Sequence, residues 1–407
     1  MKTLFDHNIM FSSLSVRNYR LYWAGMFISL IGTWIQIVAL SWLVFELTKS
    51  AFLLGVVGFL SSIPVFLLSL FGGVAADRMN KRNILIFTQT AFMFLAFSLG
   101  ALTQLKIITP AQIMWIALLD GIVMAFDAPS RQAVVVELVG KNHLMNAIAL
   151  NSVAFNSSRI IGPALAGILV ASVGMSGCFY INGISFLAVL IALFSIKIRD
   201  EAVKDSRFGL VKDLTEGLRL IKNNRVMLIL ITMVGVTSFF GISYVILMPI
   251  FANDILKVGV RGLAMLMSAS GVGALSAALI LARLGNFQYK GKVLVFSSFV
   301  FSLALILFSL SKTYLFSLFA LALVGWSSVT AMAITNTLLQ TMVSDEFRGR
   351  VMSVFMLTFA GTMPFGNLIA GSLAHAWGVS LTVLTGGIFC AVFFIMINVF
   401  YPDIRKI

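Results

Sequence analysis

Twelve long apolar runs leave this chain few choices of fold. They lie at roughly 21–45, 52–71, 84–105, 111–128, 145–172, 177–196, 225–252, 262–283, 291–311, 314–338, 350–375 and 379–401. A helix rises about 1.5 Å per residue, so about 20 apolar residues cross the ~30 Å hydrocarbon core of a bilayer. Inside lipid the backbone must satisfy its own hydrogen bonds, which restricts a spanning chain to helices or a closed barrel. Barrel strands alternate over about 10 residues, and these runs do not alternate. The expectation is an all-α integral membrane protein of twelve transmembrane helices. Composition agrees: 60% of residues are apolar and 11% charged, whereas a soluble domain is about 25% charged.

The formal net charge is +14. In a soluble chain that would suggest nucleic acid; here it follows the cytoplasmic bias of Lys and Arg. With both termini inside, 23 of the 29 basic residues fall in cytoplasmic segments. Five (Lys49, Lys106, Lys257, Arg261, Lys312) fall outside, and Arg159 alone lies within a span. Met1–Val16 has no apolar core followed by a small-residue cleavage site, so no signal peptide is expected and the first span is retained.

Cys178 and Cys390 fall in or beside apolar runs and read as small core hydrophobes. His7, His143 and His375 are far apart, with no Cys or acid at ligand spacing. No metal, no cofactor and no nucleophile elbow is expected. The sequence argues against an enzyme, and no long polar domain suggests a sensor or scaffold.

The longest polar stretch, 197–224, divides the chain into six and six spans. The expected domains are 1–196, a linker 197–224 and 225–407. Within the linker Phe208, Leu210, Val211, Leu214, Leu218 and Ile221 recur near helical spacing, with Lys212, Asp213, Glu216 and Arg219 between them. That predicts an amphipathic helix on the cytoplasmic face. The halves also repeat. A shift of 204 residues aligns Gly121 with Gly325, Val139 with Val343, Phe155 with Phe359, Gly162 with Gly366, Ala166 with Ala370 and Gly167 with Gly371. A parallel six-plus-six repeat is the layout of a rocking transporter with its substrate site between the halves.

Between spans two and three lies Gly73-Val-Ala-Ala-Asp77-Arg78-Met-Asn80-Lys81-Arg82. This resembles the loop signature of the major facilitator superfamily, Gly-x-x-x-Asp-Arg-x-Gly-Arg-Arg/Lys. A narrower likeness, to the bacterial branch with the enterobactin exporter and the macrolide efflux pumps, rests on four stretches. They are Arg17-Asn-Tyr-Arg-Leu-Tyr-Trp23, Gly32-Thr-Trp-Ile-Gln36, Phe126-Asp-Ala-Pro129-Ser-Arg131-Gln132 and Arg159-Ile-Ile-Gly162-Pro163-Ala-Leu-Ala-Gly167. The resemblance implies the major facilitator fold, two six-helix bundles, with spans one, four, seven and ten around a central path.

The loop departs from the signature at Asn80, which tolerates the left-handed backbone that glycine supplies, and at Ala75. Its second-half counterpart keeps Arg283 but has Ala282 for the acid. By resemblance, Asp77 faces the start of span eleven in a conformational latch made of Gly73, Asp77, Arg78, Lys81 and Arg82, with Arg348 and Arg350 at that helix. Gly162, Pro163 and Gly167 resemble the glycine-proline signature of superfamily antiporters, with Ser158 replacing the usual upstream glycine. They read as a close helix contact.

An ionisable residue inside a span is a functional candidate by default. Asp120 lies nine residues into span four, where burial favours the protonated form, as a proton-loading group requires. Arg159, mid-span in helix five, is its natural partner, with Gln132, Asn151 and Asn156 as other choices. It reads as a proton-coupled ion pair, an anchor for an anionic substrate or a static salt bridge. Glu46, at the end of span one, is a second proton-site candidate. Trp34, Gln36, Phe239, Phe240, Tyr244, Asn336 and Gln340 are candidates to line a cavity for a bulky, partly apolar substrate; lipid-facing or core packing is the competing account of each. The expected protein is a monomeric secondary transporter in a bacterial plasma membrane. It exports a drug-like molecule or siderophore, by proton antiport; the alternative is a facilitator or importer, including one for lipid or lysolipid.

Overall fold

The computed structural model describes residues 12–196, 210–285 and 287–406. The leader-free reading of residues 1–11 and the linker stretch 197–209 lie outside the described residues. Phe208 of the expected amphipathic stripe goes with them, as do Lys2, Lys197, Arg199, Lys204 and Arg207 of the charge count.

The first helices are α1 (Arg17–Thr48), α2 (Ala51–Arg78) and α3 (Lys81–Gln104). Helical structure then runs from Pro110 to Ser195, broken at Gly140 and Gly174, whose φ angles are 65° and 72°. Only glycine enters that region without a Cβ penalty, so these two residues turn one long run into α4 (Pro110–Gly140), α5 (142–173) and α6 (175–195). The amphipathic α7 is Leu210–Asn223. The remaining helices are α8 (Arg225–Ile255), α9 (Gly259–Leu284), α10 (Lys290–Leu310), α11 (Tyr314–Thr341), α12 (Asp345–Trp377) and α13 (Val379–Phe400). Among the described residues eleven helical segments are long and apolar enough to cross a membrane; the longest, Asn142–Ser195, is divided at Gly174 into two, which is consistent with the twelve runs, and α7 is the amphipathic exception.

Two compact units emerge. The first comprises residues 1–43 and 67–206; the second, 44–66 and 207–407. The N-terminal part of α2 groups with the second unit because it packs on α12. Gly55 lies against Gly371, the Asn367 amide donates to the Gly58 carbonyl at 3.3 Å, and Phe59 meets Phe365 edge-on.

In the first unit, Tyr19, Tyr22, Leu85, Val134, Leu138, Val189 and Leu193 form the buried core of α1, α3, α4 and α6. The Tyr19 hydroxyl donates to the Ala147 carbonyl and the Trp23 indole N–H to that of Leu150, tying α1 to α5. In the second unit α7 lies on α12, with Gly217 against the Arg350 carbonyl and Ile221 buried. The main departure from the sequence expectation is α8. It changes to π-helix at Thr237–Gly241, to 3-10 helix at Ile242–Leu247 and to π-helix again at Phe251–Ile255. Gly366 and Gly386 press on the Phe239 and Phe240 carbonyls there. Apolar periodicity does not report such local rewinding, which often marks functional positions.

In hydrocarbon, helices associate through close packing at small residues. A Cβ on Gly273 would strike the Ala322 carbonyl, and one on Gly325 that of Ser270, so the α9–α11 seam admits glycine alone at both. Gly349, in contrast, has nothing within 4 Å of a Cβ. Gly273→Val should cost about 1–3 kcal/mol through overpacking. Gly349→Ala should gain about 0.5–1 kcal/mol from helix propensity. Thermal unfolding of the purified proteins in one detergent would check both signs.

Candidate functional site

Two acids on α4 stand seven residues apart, close to two helical turns, in opposite surroundings. Asp127 is fully buried and ion-paired with Arg131 four residues on. Its Oδ1 also accepts hydrogen bonds from the Thr88 hydroxyl and the Gln89 amide on α3, both at 2.7 Å. Tyr22 of α1 is buried within electrostatic reach of both charges. Together these donors fix the Asp127 side chain in place between α3 and α4. Asp120 is partly buried and, among the described residues, has no hydrogen bond or ion pair; its nearest charge effect comes from Asp127.

Sequence reasoning passed over Asp127 and Arg131 as chemistry. The signal was present in their i,i+4 spacing on a helix, but the donors on α3 are 38 and 39 residues away and come close only through packing.

Arg159 and Asp120 are not brought together as an ion pair. The Arg159 guanidinium instead lies over the Trp34 indole, 5.9 Å from the ring centroid, at the seam of α5 and α1. Phe155 meets the same indole edge-on at 6.1 Å. A Cβ on Gly162 would lie 2.9 Å from the Ile31 carbonyl and nearer still to the Trp34 Cβ. The glycine therefore lets α5 close on α1 and fixes the tryptophan. Pro163 and Gly167 are buried on the same helix. Gln36 accepts from the Asn182 amide at 2.8 Å, joining α1 to α6. Glu46 is exposed two residues before the end of α1.

At the end of α2, Asp77 and Arg78 are exposed, and Gly73 has open space around it. Asn80 caps α3 by accepting from the Asn83 N–H, and so does not use the left-handed backbone expected of it: its φ is −62°. Lys81 pairs with Glu137 of α4 at 2.5 Å, and Arg82 donates from Nε to the Leu193 carbonyl at 2.6 Å, near the C-terminus of α6. Both interactions tie the loop to its own unit. Arg348 pairs with Asp345 at 2.6 Å and Arg350 with Glu216 of α7 at 2.8 Å.

The aromatic candidates of α8 sit on its rewound stretch. Phe239 and Phe240 touch at 4.7 Å between centroids, and Phe240 stacks on Phe389 at 5.0 Å. Tyr244 is buried edge-on to Phe308. Asn336 and Gln340 hydrogen-bond to each other one turn apart on α11. Among the described residues no group of His, Cys, Asp and Glu could hold a metal ion.

The chain is similar to known proteins over most of its length. Residues 9–406 match the family described as transmembrane secretion effectors. The staphyloferrin A transporter of Staphylococcus aureus is 30% identical, covering 90% of this chain and 92% of its own length. Macrolide efflux protein A of Streptococcus pyogenes is 24% identical over 95% and 96% of the two chains. In fold, the crystal structure of a bacterial homologue of the human lysosomal transporter Spinster superimposes with a TM-score of 0.74 at 13% identity, covering 96% and 98%. Twelve membrane-length helices, a family match over nearly the whole chain and relatives that are transporters lead to one conclusion: this chain belongs to the transmembrane secretion effector family of the major facilitator superfamily of transporters.

Proposed function

We propose that this protein exports a bulky, partly apolar organic compound, a siderophore or a drug-like molecule, by alternating access coupled to proton antiport. The observation that carries the coupling is the contrast on α4: a carboxylate locked by three donors at Asp127, and, among the described residues, a carboxyl without partners at Asp120. A group that loads and releases a proton must be free of fixed counter-charges, and Asp120 meets that condition. Glu46, exposed near the end of α1, is a second candidate. The direction of transport is supported by the macrolide efflux relative, and a bulky organic substrate by that relative and the staphyloferrin A transporter.

The bias of basic residues supports a cytoplasmic position for both termini and the Gly73–Arg82 loop, and the bacterial relatives support an inner-membrane location. Asp77 is the proposed latch acid for the start of α12, where a helix N-terminus favours negative charge. In support, Asp77 is exposed and unencumbered, while Lys81 and Arg82 anchor the loop that carries it. The Glu216 pair gives α7 a hold on Arg350 at the same helix.

Efflux of a panel of amphiphilic dyes from energised vesicles should stop when a protonophore collapses the gradient; efflux that continues unchanged points to the facilitator reading. Asp120→Asn should insert and melt like wild type yet lose the response of efflux to the proton gradient. Asp127→Asn should leave the partly buried Arg131 without its counter-charge and cost about 3 kcal/mol of stability, read as a lower melting temperature. Asp77→Asn should insert normally and transport slowly; wild-type rates from it would remove the latch.

A further inference from the structure

We propose that one corner of the second unit binds the headgroup of an anionic phospholipid, a phosphodiester held by Arg225, Lys292 and Arg405. The corner is where α8 and α10 begin and where the segment after α13 packs against them. The proposal rests on the membrane-spanning fold and is independent of the exporter reading.

Backbone packing brings the three residues together. After α13 the chain turns through a 3-10 segment, Pro402–Lys406, whose Ile404 is buried. This segment lies on the first turn of α10. A Cβ on Gly291 would strike the Ile404 carbonyl and stand 3.3 Å from the Cα of Arg405. Lys292 therefore follows directly on the point of contact with Arg405. Arg225, the first residue of α8, lies over the Tyr401 ring, 4.4 Å from its centroid, at the start of the same segment.

Each of these exposed cations is held, and each by a neutral partner. Arg405 donates from Nε to Asn398 Oδ1 at 2.6 Å and from Nη2 to the Asn398 carbonyl at 3.2 Å, which leaves its Nη1 donors for a ligand. The Lys292 ammonium stands 4.3 Å from the centroid of the Tyr289 ring. Among the described residues none of the three pairs with a carboxylate. Asp403, the acid of this segment, is paired with Lys406 at 2.7 Å. Aromatic and amide partners orient a cation without cancelling its charge. Tyr289 marks the arrangement further. Its φ of 66° is left-handed, a conformation that a bulky residue keeps only where the surroundings impose it. Three oriented charges without a counter-charge are a site for an anion, and guanidinium forks match phosphate oxygens.

Position selects a lipid over a soluble phosphate. Arg225 and Lys292 lie in the first turns of spanning helices, and Tyr401 directly follows the last one. The charges therefore stand where hydrocarbon meets water, the level of lipid headgroups. Apolar surface for acyl chains adjoins them. Val399 and Phe400 are 64% and 67% exposed at the end of α13, and Phe296 is exposed one turn along α10 from Lys292.

The test titrates full-length protein in detergent with dioleoyl phosphatidylglycerol or dioleoyl phosphatidylcholine and counts bound lipid by native mass spectrometry. Phosphatidylglycerol should bind at least about tenfold tighter. A basic residue beside an anionic headgroup is worth about fivefold, so the combined Arg225→Gln, Lys292→Gln and Arg405→Gln variant should weaken phosphatidylglycerol about 100-fold and leave phosphatidylcholine unchanged. Lys292→Gln alone changes one exposed side chain, keeps the proposal testable if the triple variant does not fold, and should weaken phosphatidylglycerol about fivefold. The control combines Lys257→Gln, Arg261→Gln and Lys312→Gln, which removes the same charge beyond the opposite ends of α8 and α10, and should bind as wild type does. Equal affinity for the two lipids, a preference that survives the corner substitutions, or an equal loss in the control would overturn the proposal. Glycerol 3-phosphate in large excess should not displace the lipid; displacement would make this a site for a soluble phosphate and overturn the lipid assignment.

Discussion

Close approach of helix backbones is the interaction on which this structure depends. Lipid tails are as apolar as leucine, so burial of apolar side chains gives helices little reason to prefer one another to the bilayer. What remains is dispersion over well-fitted surfaces, and it falls steeply with distance. The seams are accordingly built where a side chain is missing: Gly162 against α1, Gly366 against α8, Gly273 and Gly325 between α9 and α11. Each brings a carbonyl of one helix to within contact of another helix's Cα. The α8 segment shows the same constraint from the other side. Two glycines press on successive carbonyls, and the helix there is wound as π and then 3-10.

Against that apolar scaffold, polar and charged groups divide by whether the scaffold has already satisfied them. Asp127, Arg131, Thr88 and Gln89 are satisfied within one unit and read as framework. Lys81 with Glu137, Arg82 with the end of α6, and Arg350 with Glu216 fasten loop and linker to the helix ends. Asp120 is of another kind: among the described residues it has no hydrogen bond or ion pair. The 204-residue repeat makes this visible. Its glycines recur in both halves, while the counterparts of Asp120, Asp127, Arg131 and Arg159 are Val324, Ala331, Thr335 and Met363. Packing is shared between the halves; charge belongs to the first.

The elements best read from sequence were those set by the solvent. Runs of spanning length became helices because chain in hydrocarbon has no other way to satisfy its backbone, and the linker's apolar residues at helical spacing became the amphipathic α7. The Gly140 and Gly174 breaks follow from the same local rule. Partners across helices were much less legible. The expected pairing of Asp120 with Arg159 rested on both being charged at similar depth. The structure sends Arg159 to an aromatic ring on α1 instead, 125 residues earlier in the chain.

By itself, then, the sequence determined the class of solvent, the number of crossings, the family and the list of intramembrane polar residues, since each depends on composition or on spacing within one helix. Only the tertiary structure decided which of two acids is neutralised, which face of α5 meets α1, and where α8 loses its regular winding. Those outcomes depend on distances between helices, set by where glycines allow backbones to touch, and no periodicity within a single helix encodes them.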